Sequence, residues 1–368
     1  MNNQNETSRN SNEPDQSSGA TEARIIPRRS FLRSLGLGAT LLGPGGAILA
    51  STQTSLSSSS NHSRNPAGDV AILQFLAAAE LIEADLWQQY TELALNNPAY
   101  GDALSNLDGD MGQYISDNTD DELSHANFLN AFLHSIGERG VNLDPFRTLP
   151  SSHATGAQQI GRLTNLMNLT VDTSWWLRYR SDGNPDFGDS FPQLIDIANF
   201  PTIPNADLPT GSDQIQAIAN AAAFHFAAIE QGGSSLYASF IPKATLLSVL
   251  NILAGIGGSE VAHFTVWHDK AGNAPAVSVP GVTFPDLAEF DGDELRQKNL
   301  ILPEPCKFIS GSLPPCSVIR PATTANAGAV AAVNALTHSG LFNGQSPAFF
   351  HLLATMAHAA DAARRNPF

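Results

Sequence analysis

Charge is scarce in this chain. Only 15% of its 368 residues are charged, against roughly 25% in an ordinary soluble domain. Cations are the scarcer sign, with 19 Lys and Arg facing 35 Asp and Glu for a formal net charge of −16. Nucleic-acid binders need clustered cations for phosphate contacts, which excludes that class. An anionic membrane surface is an equally poor match. Cysteine is nearly absent. Its two thiols, Cys306 and Cys316, make neither a zinc quartet nor a Cys-x-x-Cys redox pair. Neither a Gly-rich phosphate loop nor a Gly-x-Ser-x-Gly elbow occurs in a suitable setting. The 42% of hydrophobic residues suffice for a large core and exclude disorder throughout. The length allows about two domains, or one with large decorations.

Residues 1–23 are polar and read as disordered. Pro27-Arg28-Arg29-Ser30-Phe31-Leu32-Arg33 and the mildly apolar, Gly-rich run from Leu35 to Ala50 follow. The segment resembles a twin-arginine export signal, with Arg28 and Arg29 as its pair. Its apolar run is shorter than the about 20 residues of a membrane span. The resemblance implies passage through the twin-arginine translocation machinery, already folded, to the periplasm or cell envelope. It leaves open whether the segment is cleaved near Ala50 or kept as an anchor. Residues 51–68 form a Ser-rich linker. In an oxidising compartment a disulfide between Cys306 and Cys316, with nine residues between them in a Pro-rich stretch, is expected.

Periodicity predicts four long helices. The first carries Ile72, Leu76, Ala79, Glu83, Leu86, Tyr90 and Leu93 at alternating steps of four and three. The second carries Met111, Ile115, Asn118, Glu122, His125, Leu129, Phe132 and Ile136. Ala219, Ala223, Phe226, Glu230, Gly233, Tyr237 and Phe240 mark the third, and Leu246, Val249, Leu253, Ile256, Glu260, His263 and Trp267 the fourth. Such stripes pack as a four-helix bundle. Each is interrupted by an acid or an acid and a histidine.

Burying four lone carboxylates would cost several kcal/mol each unless they are neutralised. Two divalent cations would balance four carboxylates with both histidines neutral. Spacing supports this. Glu122-Leu-Ser-His125 and Glu260-Val-Ala-His263 are both Glu-x-x-His, which puts carboxylate and imidazole on one helix face. Chance would give about 0.35 such pairs in a chain of this composition. The other two helices each carry an acid seven residues before a tyrosine, Glu83 before Tyr90 and Glu230 before Tyr237. The order acid, acid–histidine, acid, acid–histidine therefore repeats, as in a duplicated helix pair. Glu80 is a near neighbour of Glu83 and competes for its place; the shared step to tyrosine favours Glu83.

On these residues the chain resembles the ferritin-like superfamily of di-iron and di-manganese carboxylate proteins. It is similar, more narrowly, to exported ferritin-like proteins grouped with desiccation- and stress-related proteins. The resemblance covers residues 69–270 and implies an all-α, ferritin-like four-helix bundle with a long crossover insertion at about 137–212. Residues 271–368 add a Pro-rich segment and C-terminal helices. It further implies metal ligands Glu83, Glu122, His125, Glu230, Glu260 and His263, with the acids of the Glu-x-x-His pairs bridging two Fe or Mn ions and Tyr90 and Tyr237 behind the ligands. An oxidoreductase acting on O2 or peroxide, ferroxidase-like or manganese-catalase-like, is one expectation. A non-catalytic envelope protein whose ions stabilise the fold is the other. Homo-oligomers stay open.

Some residues read as structural. His225 lies off its stripe and reads as packing or as support behind the ligands, Trp175 and Trp176 as packing, and His268 as solvated. His351 and His358 read as a packing line on a C-terminal helix, and Gly232-Gly233 as a kink or as room for a ligand.

Overall fold

The four predicted stripes lie on four long helices. In chain order the helices are α1 (Ala67–Asn96), α2 (Pro98–Ser105), α3 (Met111–Ser135), the single turn α4 (Trp175–Arg178), α5 (Asp213–Phe240), α6 (Leu247–Ala271), α7 (Ala329–His338) and α8 (Pro347–Asp361). These assignments come from a computed structural model that describes residues 66–181, 187, 191–298, 305–318 and 327–366. The expected leader with Arg28 and Arg29, and all but the end of the linker, lie outside the described residues.

The bundle is two antiparallel helix pairs, α1 with α3 and α5 with α6. Between them sits an aromatic layer. Trp87 and Trp267 stack at 5.2 Å between ring centroids, and Phe226 contacts both, at 4.9 and 4.8 Å. Each such pair adds roughly 0.5–1.5 kcal/mol beyond the area it buries. α6 is long and apolar enough to cross a membrane by length and composition, but here it is a bundle helix with Glu260 turned inward and fully buried.

α1 is buried nearly all round, as expected of a helix covered on every side. Its face away from the bundle is held by the insertion. Asp85 accepts from the backbone N–H of Leu163 and Thr164, both at 3.0 Å, from Thr164 Oγ1 at 2.7 Å and from Arg147 Nη1 at 2.6 Å. Glu92, further along the same face, pairs with Arg162. These buried donors would be left unsatisfied without the two acids, which accounts for polar residues inside an apolar helix. The insertion also contains an antiparallel pair of short strands, β1 (Leu169–Val171) with β2 (Ile197–Phe200). Beyond α6 a hairpin follows, β3 (Val277–Val279) with β4 (Val282–Phe284).

α8 covers α1 from another side, and α7 packs on α8. α8 begins at a Ser346 cap with Pro347 in its first turn. Near its end Asp361 accepts from the N–H of Ala329 and Val330 at 3.0 and 2.9 Å, capping α7, and meets Lys243 Nζ at 3.0 Å.

Several expectations change here. Cys306 and Cys316 face each other in an isolated antiparallel bridge, each N–H donating to the other's carbonyl, at 3.1 and 2.8 Å. Their thiols are free rather than joined, Cys306 buried and Cys316 exposed. Each Sγ is turned to a backbone carbonyl instead, that of Cys316 and that of Ser317, at 3.8 Å. His268 is buried, not solvated: it contacts Arg180 Nη2 and lies 5.1 Å from the Trp176 ring. Burial, seconded by Arg180, drives its pKa down to about 3. His351 and His358 are exposed on α8 rather than packed. Trp175 and Trp176 are fully buried.

Candidate metal centre

Glu80, Glu122, Glu230 and Glu260 come from four different helices and are at most 2% exposed. Donor atoms of Glu80, Glu122, His125 and Glu260 all lie within 4.8 Å of one another, and so do those of Glu122, Glu230, Glu260 and His263. Glu122 and Glu260 belong to both groups. The helix pairs thus contribute alike, each giving one terminal acid and one Glu-x-x-His.

Both imidazoles present Nδ1 to the carboxylates. His125 Nδ1 is 3.0 Å from Glu122, 3.4 Å from Glu80 and 3.6 Å from Glu260. His263 Nδ1 is 3.1 Å from Glu122 and 3.2 Å from Glu230. On its other edge His263 Nε2 meets Asp121 Oδ2 at 3.1 Å, the type of contact that fixes a ligating ring's tautomer and orientation.

The electrostatics are those of crowded acids. Burial first, then Glu122 and Glu230, hold the Glu260 carboxyl well above the usual range. Burial and Glu230 raise Glu122 to about 7, against hydrogen bonds to His125 and His263. Burial disfavours charge on His125, yet hydrogen bonds to Glu122 and Glu80 outweigh it and lift the ring to about 10. His263 moves the same way, with Glu230 the strongest force against burial. Both oxygens of Glu260 are buried with no hydrogen-bond partner. Orphaned oxygens beside two inward imidazoles fit divalent cations, which bind carboxylate and imidazole together.

On α1 the structure brings in Glu80, one turn before the expected Glu83. Glu83 faces an adjoining cavity and contributes through its field. Burial raises its carboxyl, helped by Glu80, Glu122 and Glu230. The tyrosine step that favoured Glu83 has a different meaning in three dimensions. Tyr237 donates across the bundle to Glu80, not to Glu230 on its own helix. Tyr90 makes no contact with the group; it donates to Thr202 at 2.7 Å and meets His225 at 2.8 Å.

Two supporting residues went unread in the sequence. Asn118 Nδ2 donates to Glu122 and Glu230, both at 2.9 Å, while Trp267 Nε1 fixes its oxygen at 2.8 Å. A lone amide in an apolar stripe, one turn before Glu122, was the available signal. Asp121, next to Glu122, gave none.

Gly233 has a physical reason. A Cβ there would lie 2.2 Å from Glu260 Oε2. Gly→Ala inside a helix ordinarily stabilises by about 1 kcal/mol. Gly233→Ala should instead displace the Glu260 carboxylate and weaken metal affinity by at least about tenfold, the lower bound for disturbed ligand support. Competition with a fluorescent chelator measures this, and unchanged affinity with higher stability would contradict it.

A sequence profile of the ferritin-like domain matches residues 68–273, more than half the chain and the stretch holding every residue of the centre. No curated protein and no solved structure matches.

Proposed function

The chain belongs to the ferritin-like domain family, and from that premise we propose that it holds two divalent ions, iron or manganese, as an oxidoreductase-type centre reactive with O2 or peroxide. The observation that carries this reading is the sharing of Glu122 and Glu260 by two donor groups. Four carboxylates would neutralise two divalent ions with both imidazoles uncharged. Iron or manganese would supply redox chemistry and Lewis acidity when bound.

The residues have separable roles in this reading. Glu122 and Glu260 would serve both ions, Glu80 with His125 would complete one donor set, and Glu230 with His263 the other. Asn118 steadies Glu122 and Glu230, Tyr237 holds Glu80, and Asp121 orients His263. Burial of the carboxylates keeps bulk water from competing. The wall at Glu83 and Gly233, shared with a cavity, offers a side from which a small molecule could approach.

Complete burial of Glu122, Glu230 and Glu260 also favours a second reading, in which the ions act only as folding staples. Elemental analysis of protein from its native compartment tests the common premise. About two Fe or Mn per chain is expected, and none would break it. Consumption of O2 or peroxide by loaded protein separates the readings, since absence of turnover with either metal leaves the staple.

The leader, the envelope location and a role in stress protection belong to the same proposal. They rest on the Arg28-Arg29 segment and on the likeness to desiccation-related ferritin-like proteins. Fractionation of cells making the Arg28→Lys, Arg29→Lys chain tests the export step, and undiminished export would overturn it.

A further inference from the structure

Beside the centre, α1, α5, α7, α8 and β1 line a pocket of about 90 Å³. Phe75, Ile82, Ala228, Ile229, Leu336 and Leu353 give it an apolar body. Glu83 and Gly233 form the wall it shares with the centre. Apolar pockets of this character hold small molecules oriented by a few polar groups.

The polar group that distinguishes this pocket is His225, which is 3% exposed and lines it. Its tautomer follows from a chain of hydrogen bonds. Thr202 Oγ1 gives its only proton to the Leu166 carbonyl at 3.1 Å, so it must accept from Tyr90 OH at 2.7 Å. Tyr90 has then used its proton, and its oxygen can only accept from His225 Nδ1 at 2.8 Å. The ring is therefore the Nδ1–H tautomer, with Nε2 a bare acceptor. Burial pushes its pKa down to about 3, so it stays neutral. Among the described residues nothing hydrogen-bonds to Nε2. A donor inside the pocket would find in Nε2 an acceptor with no other partner.

The rest of the lining selects against negative charge. Its one cation among the described residues, Arg178, is held by Asp172 at 3.0 Å and by Ser174 at 3.1 Å. Asp172 and Glu83 contribute carboxyl groups of their own. An anionic ligand would meet no unmatched positive charge here.

We propose that this pocket binds a neutral apolar alcohol, its chain among the aliphatic side chains and its hydroxyl donating to His225 Nε2. The site does not depend on bound metal, so it stands or falls separately from the reading above.

Calorimetric titration of the full chain, with chelator and again after metal loading, tests this with two probes. Octanol can donate a hydrogen bond, whereas octyl methyl ether can only accept one. Octanol should bind once per chain in both states, about five- to tenfold tighter than the ether. His225→Phe should erase that preference, and Ala228→Trp should abolish binding of both by filling the pocket. Three results would each overturn the proposal: no octanol binding up to its solubility limit, equal affinity for the two probes in the unaltered chain, or undiminished binding by a folded Ala228→Trp protein.

Discussion

Glu260→Leu should make the metal-free protein more stable and leave it unable to hold its ions. The two effects have one cause. Glu260 has no exposed surface, and neither of its oxygens has a hydrogen-bond partner. Burial and the neighbouring Glu122 and Glu230 already push its carboxyl toward the protonated form. A leucine of similar volume removes that cost. Replacing buried charges by well-packed hydrophobic residues typically stabilises by about 1–4 kcal/mol. Metal binding should fall by more than the roughly 10- to 100-fold typical of lost ligand support, because an acid common to both donor groups is gone. Denaturant unfolding with chelator present reads the first effect and metal titration the second. A variant destabilised without metal, or one that binds like the parent, would refute the assignment of Glu260. The same titration decides the α1 ligand: Glu80→Gln should weaken binding strongly and Glu83→Gln much less.

The bundle and most of its centre were legible because the relevant signals are local. Glu-x-x-His places two donors on one face whatever surrounds the helix, and an acid inside an apolar stripe is visible without knowing what covers it. That sufficed for Glu122, His125, Glu230, Glu260 and His263 to be read as a group, and they meet in space. Choosing between Glu80 and Glu83 needed more. α1 is wrapped by the insertion on one side and by α8 on another, so Ala77, Ala78, Ile82, Ala84 and Leu86 are buried in nearly every direction. Apolar periodicity then no longer marks the face turned to the bundle. The tyrosines misled for a related reason: Tyr237 serves an acid on another helix, a pairing that no spacing within α5 encodes. His225 was read as packing or support behind the ligands, and only the relay through Tyr90 and Thr202 shows that one of its nitrogens is left without a partner. Asp85 and Glu92 carry no spacing signal of their own, and it took the folded insertion to supply their partners Leu163, Thr164 and Arg162.

Without metal, the protein should lose stability as pH rises from about 6.5 toward 10, and metal loading should abolish that loss. In the folded chain burial and Glu230 raise Glu122 from 4.5 to about 7. A carboxyl raised on folding contributes stability that is complete below its unfolded value and vanishes as pH climbs through the folded one. His125 goes from 6.5 to about 10, hydrogen bonds to Glu122 and Glu80 overcoming burial. Its contribution is complete below about 6.5 and gone above about 10. His263 adds to the same trend. The buried neutral histidines run the other way. His225 and His268, both lowered to about 3 by burial, contribute fully above about 6.5 and lose that contribution only as pH falls toward 3. Across the alkaline window the histidines that oppose the trend are therefore constant, and the acid cluster sets the slope. Each excess proton held by the folded state costs about 1.4 kcal/mol per pH unit once the unfolded chain has released it. Cations occupying the centre would take the place of those protons, and their binding strengthens as the ligands deprotonate. The gain in melting temperature on loading should therefore widen steadily between about pH 6.5 and 9. A level melting curve for the metal-free chain, or a gain that narrows with pH, would mean that the four carboxylates do not share one electrostatic site.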